Sequence, residues 1–359
     1  MKIIHTSDLH LNSKMESSLT SEQAKQRKAE LLRTFARMID YANENSVEAI
    51  IIAGDMFDTE TINKSTKEYV LDIIKKNSNI TFLYLCGNHE KTAFIESIDI
   101  PTNLLTFEDT WTYHRLSDGI VVAGTNITKQ NHKSMYSNLK LKDIDTNIVV
   151  LHGQVSKYFL KDNFEIVNIT ELRNKNIDYL ALGHIHSYQI DDLDDHAKYC
   201  YPGCLEGRGF DECGEHGFVV LDITNKSVTH TFIPIAKRKL HTIEVDISHM
   251  DNTSMVDNAI NLKIKDISKD DLLKIVLVGK VSKDNNINIE LLNTALNELY
   301  YFAKIINNTS LDISIEDYKN DTSIKGEFIR KVLSSNLSAK EQESVILTGL
   351  KAFDGEVEL

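Results

Sequence analysis

Short apolar runs alternate with amphipathic stretches through the first half of the chain. Residues 2–6, 49–53, 81–86, 120–123, 148–151 and 179–182 are the strand candidates. Between the first two lies 21–45, where Leu31, Leu32, Phe35, Met38, Ile39 and Ala42 keep a three-to-four spacing that predicts a long helix. A second helix is expected near 66–76, with Val70, Leu71, Ile73 and Ile74 on one side. Strand and helix in alternation predict an α/β architecture.

From residue 199 the pattern becomes hairpin-rich, with runs at 217–223 and 228–235 joined by a Thr-Asn-Lys turn. Pro234 followed by Ala236-Lys237-Arg238-Lys239 has the look of a linker. Beyond it, 241–247, a helix near 255–265, 272–281, a helix near 289–301 and 305–313 predict a small α/β unit that carries no metal-ligand cluster. The last stretch, 323–359, shows two helical patterns, the second opening on the capping-box spacing Ser338-Ala339-Lys340-Glu341. Phe328, Ile329, Val332 and Leu333, then Val345, Ile346, Leu350 and Phe353, form apolar faces on segments too short to own a core, so they should dock on something.

Composition narrows the class. With 359 residues, 42% hydrophobic and 26% charged, the chain reads as globular and as more than one domain. It starts on residues too polar for a signal peptide, and no run reaches the ~20 residues a spanning helix needs, so a cytoplasmic protein is expected, with no membrane partner. Cys86, Cys200, Cys204 and Cys213 make no disulfide framework and no common zinc spacing; buried or idle thiols are the expectation. A net charge of −13 argues mildly against a nucleic-acid substrate, although two divalent cations would reverse the local field where a phosphate sits.

Five short motifs follow strand candidates: Asp8-Leu9-His10, Gly54-Asp55-Met56-Phe57-Asp58, Gly87-Asn88-His89-Glu90, Leu151-His152-Gly153 and Gly183-His184-Ile185-His186. Each alone occurs by chance in many proteins; five in this context are another matter. Carboxyl ends of neighbouring strands line one crevice, so these residues can converge. The set offers oxygen and nitrogen ligands without thiolate, suited to Mn, Fe or Zn and too rich in imidazole for Mg or Ca. Asp8 and His10 can hold a first ion, the two-oxygen Asp55 can bridge to a second, Asn88 adds a neutral carbonyl, and His152, His184 and His186 complete the shells. Between two ions, a water becomes acidic enough to attack phosphorus. His89 is then left to stabilise developing charge or protonate the leaving oxygen, with Asp58 to orient it. His5, His114, His132, His196, His216, His230, His241 and His249 match no motif and are expected at the surface or as satisfied core residues.

On these motifs the chain resembles the calcineurin-like metallophosphoesterase superfamily, whose pattern D-x-H, G-D-x-x-D, G-N-H-[DE], H and G-H-x-H is met in order. The opening His5-Thr6-Ser7-Asp8-Leu9-His10-Leu11 and the segment Tyr201-Pro202-Gly203-Cys204-Leu205-Glu206 are similar to the SbcD-type branch of DNA repair nucleases. Leu9 and Asn12 stand where many members have Trp and Gly. The resemblance implies a four-layer α/β/β/α core over 1–236, a smaller α/β capping domain over 237–318 and partner-binding C-terminal helices over 319–359. It implies Asp8, His10, Asp55 and His186 on one Mn ion and Asp55, Asn88, His152 and His184 on the other, with His89 catalytic and Asp58 beside it. The implied partners are DNA and the coiled coil of an SbcC-like ATPase, and a homodimer is compatible with it. The rival enzyme reading is a small-molecule phosphodiesterase or phosphatase on the same site, since accessory domains rather than fold set specificity. A non-enzymatic protein with a decayed site would show lost ligands, and none is lost.

Overall fold

A computed structural model of the protein describes residues 1–15, 19–58, 62–87, 100–117, 119–158, 165–282, 285–312 and 321–353. The chain divides into two compact units, Met1–His241 and Thr242–Leu359. In the first, the elements run β1 (Lys2–Thr6), α1 (Ser21–Glu44), β2 (Ala49–Ala53), α2 (Lys64–Lys76), β3 (Thr81–Leu85), β4 (Leu104–Thr106), β5 (Thr112–Ser117), β6 (Ile120–Gly124), α3 (Met135–Asn138), β7 (Thr146–His152), β8 (Gln154–Ser156), β9 (Ile166–Asn168), β10 (Tyr179–Gly183), β11 (Gln189–Asp192), β12 (Lys198–Tyr201), β13 (Gly217–Thr224) and β14 (Ser227–Pro234).

Twelve of these fourteen strands form two six-stranded sheets, ordered β14-β13-β1-β2-β3-β4 and β11-β12-β10-β7-β6-β5, and β8 pairs with β9 in a separate two-stranded sheet. Within the first, β1 to β4 are parallel; within the second, β6, β7, β10 and β12 are parallel with antiparallel edges. Successive side chains of a strand point to opposite faces, which is why β2 and β3 are apolar at nearly every position. Ile50, Ile52, Phe82 and Tyr84 pack under α1 and α2 with Leu31, Phe35 and Met38, whereas Ile51, Leu83 and Leu85 face Val122, Ile148 and Val150 of the second sheet. A third cluster, including Leu151, Leu180, Leu182 and Tyr136, lines the far side of that sheet. Among the described residues its helical cover is α3 and a 3-10 turn at Ile169–Glu171. The layering is α/β/β/α, as the motif resemblance implies.

Helix α1 begins at Thr20, whose hydroxyl accepts from the Gln23 amide while Gln23 reaches back, a complete capping box that the apolar spacing alone did not locate. The strands absent from the sequence expectations, such as β4, β5 and β11, are short or exposed at sheet edges, where apolar patterning is weak. The expected linker is not one. Pro234 ends β14 paired with Gly217, and Arg238 is 5% exposed, held in ion pairs with Glu30. A charged run reads as solvated only until an opposite charge is buried beside it.

The second unit contains β15 (Leu240–Asp246, its first two residues in the first unit), α4 (Thr253–Ile264), β16 (Leu272–Val278), β17 (Lys280–Val281), α5 (Ile289–Leu299), β18 (Phe302–Asn307) and β19 (Ser310–Leu311). The single run expected at 272–281 is broken at Gly279, whose φ of 104° ends the regular strand. Val245, Ile260, Leu273 and Leu296 center its core. Helices Ile324–Leu333 and Ala339–Phe353 pack on each other through Ile329, Val332, Ile346 and Leu350, and Ser338 caps the second with Glu341 as its spacing predicts. Among the described residues no helix is long and apolar enough to cross a membrane.

Candidate metal centre

Both sheets end their parallel strands at one edge, and the described residues of the sequence motifs sit on those ends. The turn after β1 is laced to the turn after β2: Asp8, His10 and Leu11 donate backbone N–H bonds to the carbonyls of Gly54, Asp55 and Met56 at 3.1, 3.0 and 2.9 Å. The two sheets meet where the backbone N–H of His184 donates to both carboxylate oxygens of Asp8, each at 3.0 Å. Ser7 Oγ donates to Asp8 Oδ2 as well.

Four of the expected ligands occupy the left-handed backbone region that non-glycine residues avoid. Asp8 has φ 51°, His10 45°, Asp55 49° and His184 105°. Each such conformation costs about 1–3 kcal/mol, and it persists only where surrounding structure over-determines it. The backbone lacing between the turns does so. Two glycines make the convergence possible: a Cβ at Gly54 would overlap the His152 ring, and one at Gly87 would overlap the Asp55 carboxylate.

Asp55 Oδ2 lies 3.9 Å from His10 Nε2 and 3.5 Å from His152 Nε2, and Asp8 Oδ1 lies 3.8 Å from His186 Nε2. These separations are too long for hydrogen bonds and of the order expected for ligands that share an ion, each about 2.1 Å from it. Among the described residues two groups could hold a metal: Asp8 with His10 and His186, and Asp8 with Asp55 and His152. His184 stands beside the second, its ring centroid 5.5 Å from that of His152. Asn88 and His89 lie outside the described residues.

The protonation of these rings follows from their partners. His152 Nδ1 is 2.8 Å from the Ala53 carbonyl, which can only accept, so Nδ1 carries the proton. That leaves the Nε2 lone pair directed into the cluster, buried and without a hydrogen-bond partner among the described residues, as is His10 Nε2. Lone pairs of nitrogen and carboxylate facing each other repel unless a cation stands between them, and the site therefore fits divalent metal. Without metal a proton takes that place. Burial works against a charged His152, but Asp55 and the nearby Asp8 outweigh it and raise its pKa to about 9. His184 is shifted down, by burial first and then by the charge of His152.

Three residues that the motifs did not flag complete the setting. His186 Nδ1 lies 2.6 Å from Glu212 Oε1, and Arg208 joins Glu212 Oε1 at 2.8 Å and Asp58 Oδ1 at 3.2 Å. Asp58, expected to orient His89, lies 3.0 Å from His10 Nδ1. Its amide donates to Asn12 Oδ1 at 2.5 Å, so the asparagine at a position where many superfamily members have glycine braces this turn. Glu212 titrates well below an ordinary carboxyl despite its burial, because His186 and Arg208 hold its charge. The signal available in sequence was slight, two opposite charges four apart in the glycine-flanked loop Gly207 to Gly214. Of the other histidines, His5 is fully buried and bonds the Tyr179 hydroxyl at 3.0 Å, and His216 is buried against Cys204 and the Glu212 carbonyl. All four cysteines are free, with Cys200 and Cys204 buried.

Residues 1–188, just over half of the chain, match the calcineurin-like phosphoesterase family. The chain is similar to an uncharacterized metallophosphoesterase, YhaO, of Bacillus subtilis (strain 168), at 26% identity over 248 residues, 65% of this chain and 60% of that protein. It is 23% identical over 337 residues to the DNA double-strand break repair protein Mre11 of Sulfolobus acidocaldarius, covering 89% of this chain and 85% of that one. It is also 28% identical over 268 residues to the SbcD component of the SbcCD nuclease of Escherichia coli (strain K12), 62% of this chain and 64% of that protein. The chain thus spans less than two thirds of the length of the Bacillus and Escherichia proteins.

Proposed function

The chain belongs to the calcineurin-like phosphoesterase family, and from that premise we propose that it hydrolyses phosphodiester bonds of DNA with two Mn ions, as the SbcD-like component of a repair nuclease. The observation that carries this is the Asp55 carboxylate set between imidazoles from the two sheets, 3.9 Å from His10 Nε2 and 3.5 Å from His152 Nε2. In this reading Asp8, His10, Asp55 and His186 hold one ion, and Asp55, Asn88, His152 and His184 the other. When bound, the pair supplies a nucleophile at neutral pH and positive charge against the phosphoryl oxygens. The Ala53 carbonyl and Glu212 fix the tautomers of His152 and His186, so that both present Nε2 lone pairs. His89 protonates the leaving oxygen or stabilises its charge, and Asp58 steadies that side of the site. Mn is favoured over Mg by the imidazole content, with Fe and Zn admitted by the same donors.

Two things support DNA as substrate. The likeness to the Sulfolobus protein runs over 89% of the chain, well past the 1–188 match and into the second unit. A second unit with no metal group among its described residues has a role in specificity open to it. The net charge of −13 favours the rival reading, a small-molecule diesterase. The deciding measurement is Mn-dependent nucleotide release from linear duplex DNA, compared with hydrolysis of cyclic dinucleotides and a chromogenic diester. Activity confined to the small substrates overturns the nuclease assignment. His89→Ala should retain both ions and lose most turnover. Deleting 323–359 should abolish association with a coiled-coil ATPase and leave hydrolysis intact.

A further inference from the structure

At the opposite end of β7 from His152, three adjacent strands present side chains to one recess. Arg115 of β5 is registered against Val121 of β6, and Val121 against Asn147 of β7. Tyr113 lies two residues before Arg115, on the same face. These residues form one wall of a cavity of about 760 Å3, whose other wall is supplied by Trp111 and by a segment that includes Lys140 and Lys142. Small-ligand sites run roughly 300–1,000 Å3. No lining residue belongs to the metal groups, and Asn147 and His152 are about 16 Å apart along the strand at ~3.3 Å per residue.

The chemistry of the lining selects a ligand. The Trp111 indole N–H donates to the Met135 carbonyl at 2.7 Å, which holds the ring in place, and Tyr113 beside it is 41% exposed. Arg115 is already matched to Asp145 by two contacts of 3.0 Å. Lys140 and Lys142 are both exposed and line the recess without being drawn into a hydrogen-bonded ion pair of the kind that holds Arg115. Asn147 braces the floor of the recess. Its Nδ2 donates toward the carbonyls of Lys142, Asp145 and Asn176 at 2.8, 3.2 and 2.8 Å, which fixes the orientation of the amide.

We propose that this recess binds a nucleotide, independently of the metal centre. The base lies against Trp111 and Tyr113, and the phosphate is held by Lys140 and Lys142. Base-on-aromatic stacking together with lysine contacts to phosphate is the general means by which proteins hold unpaired nucleotides. A free mononucleotide and the end of a single strand offer the same groups.

Trp111 is the only tryptophan in the chain, so its emission reports on this recess alone. The full chain, stripped of metal with chelator, would be titrated with adenosine monophosphate, a four-nucleotide DNA and ribose 5-phosphate. Saturable quenching by adenosine monophosphate identifies a free nucleotide as ligand, and quenching by the tetranucleotide alone identifies a strand end. In either case the Lys140→Ala/Lys142→Ala double variant should bind at least about tenfold more weakly, as expected when two phosphate contacts are lost. The proposal is overturned if neither nucleotide gives a saturable change up to millimolar concentration. Equal quenching by ribose 5-phosphate, or unchanged affinity in the double variant, overturns it as well.

Discussion

Two clusters of buried charge lie in the first unit, and they are built on opposite plans. Around Arg27 every acceptor faces a donor: Arg27 reaches Glu30 at 2.7 Å, Glu206 at 3.1 Å and the Gly207 carbonyl at 2.9 Å, while Arg238 closes on Glu30 at 2.9 Å and Thr34 on Glu206 at 2.6 Å. At the metal centre acceptors face acceptors, with Asp55 between two imidazole lone pairs. The first cluster is neutralised from within and welds α1 to the 206–207 turn and to residue 238. The second stays incomplete until cations arrive. Burial and charge are alike in the two, so what separates a structural network from a binding site is whether its donors and acceptors close.

The largest effect should come from attacking the open cluster at its center. Asp55→Asn should lose bound metal, and turnover should fall on the order of a thousandfold or more, if its carboxylate is shared by both ions as proposed. Elemental analysis that finds both ions at full occupancy in this variant would break the assignment. The closed cluster should answer in stability instead. Arg27→Met leaves Glu30 and Glu206 buried with fewer partners and should cost about 3–5 kcal/mol in urea unfolding. The pH dependence sharpens the contrast. Burial alone would raise the Glu30 carboxyl, but hydrogen bonds from Arg238 and Arg27 win and hold it below its ordinary 4.5. A lowered folded-state value contributes stability above pH 4.5 that is lost as pH falls through it. The deficit of Arg27→Met should therefore shrink below pH 4.5, and a deficit that grows there would show that Arg27 acts by packing alone.

How far each cluster could be read from the residues follows the same division. The convergence of Asp8, His10, Asp55, His152, His184 and His186 is legible because turns after parallel strands are short and keep each of them within a few residues of a strand end. Their motifs are local, and so is the helix spacing of Leu31, Phe35 and Met38. The Arg27 network is not local: Glu206 meets Arg27 across 179 residues and Glu30 meets Arg238 across 208. Such pairs leave no periodicity, and Lys237-Arg238-Lys239 consequently looks like a solvated linker. Arg208 and Glu212 fail to show for the same reason, since their partners Asp58 and His186 lie in other turns. The strands at the sheet edges fade because half their side chains face water.

Glu212 joins the two plans, since it is closed on one side by Arg208 and on the other touches a ligand of the open cluster. Both Glu212 Oε1 and Arg208 Nη2 approach His186 Nδ1, at 2.6 and 3.0 Å. One nitrogen cannot donate and accept at once. Arg208 Nη2 already donates to Glu212 Oε1 at 2.8 Å, so the Nδ1 proton goes to the carboxylate, where the bond is charge-assisted. His186 then presents the Nε2 lone pair toward Asp8. Glu212→Gln keeps the size of the side chain and removes its charge, which should lower metal affinity about 10–100-fold, the usual penalty for losing a carboxylate behind a histidine ligand. Competition with a fluorescent chelator measures that directly. At saturating metal, turnover should return to within a few-fold of the unaltered protein, because Glu212 acts through His186 and touches no reacting atom. Affinity held within twofold would mean that Arg208 and the backbone alone orient the ring, and that the closed and open clusters are separate devices.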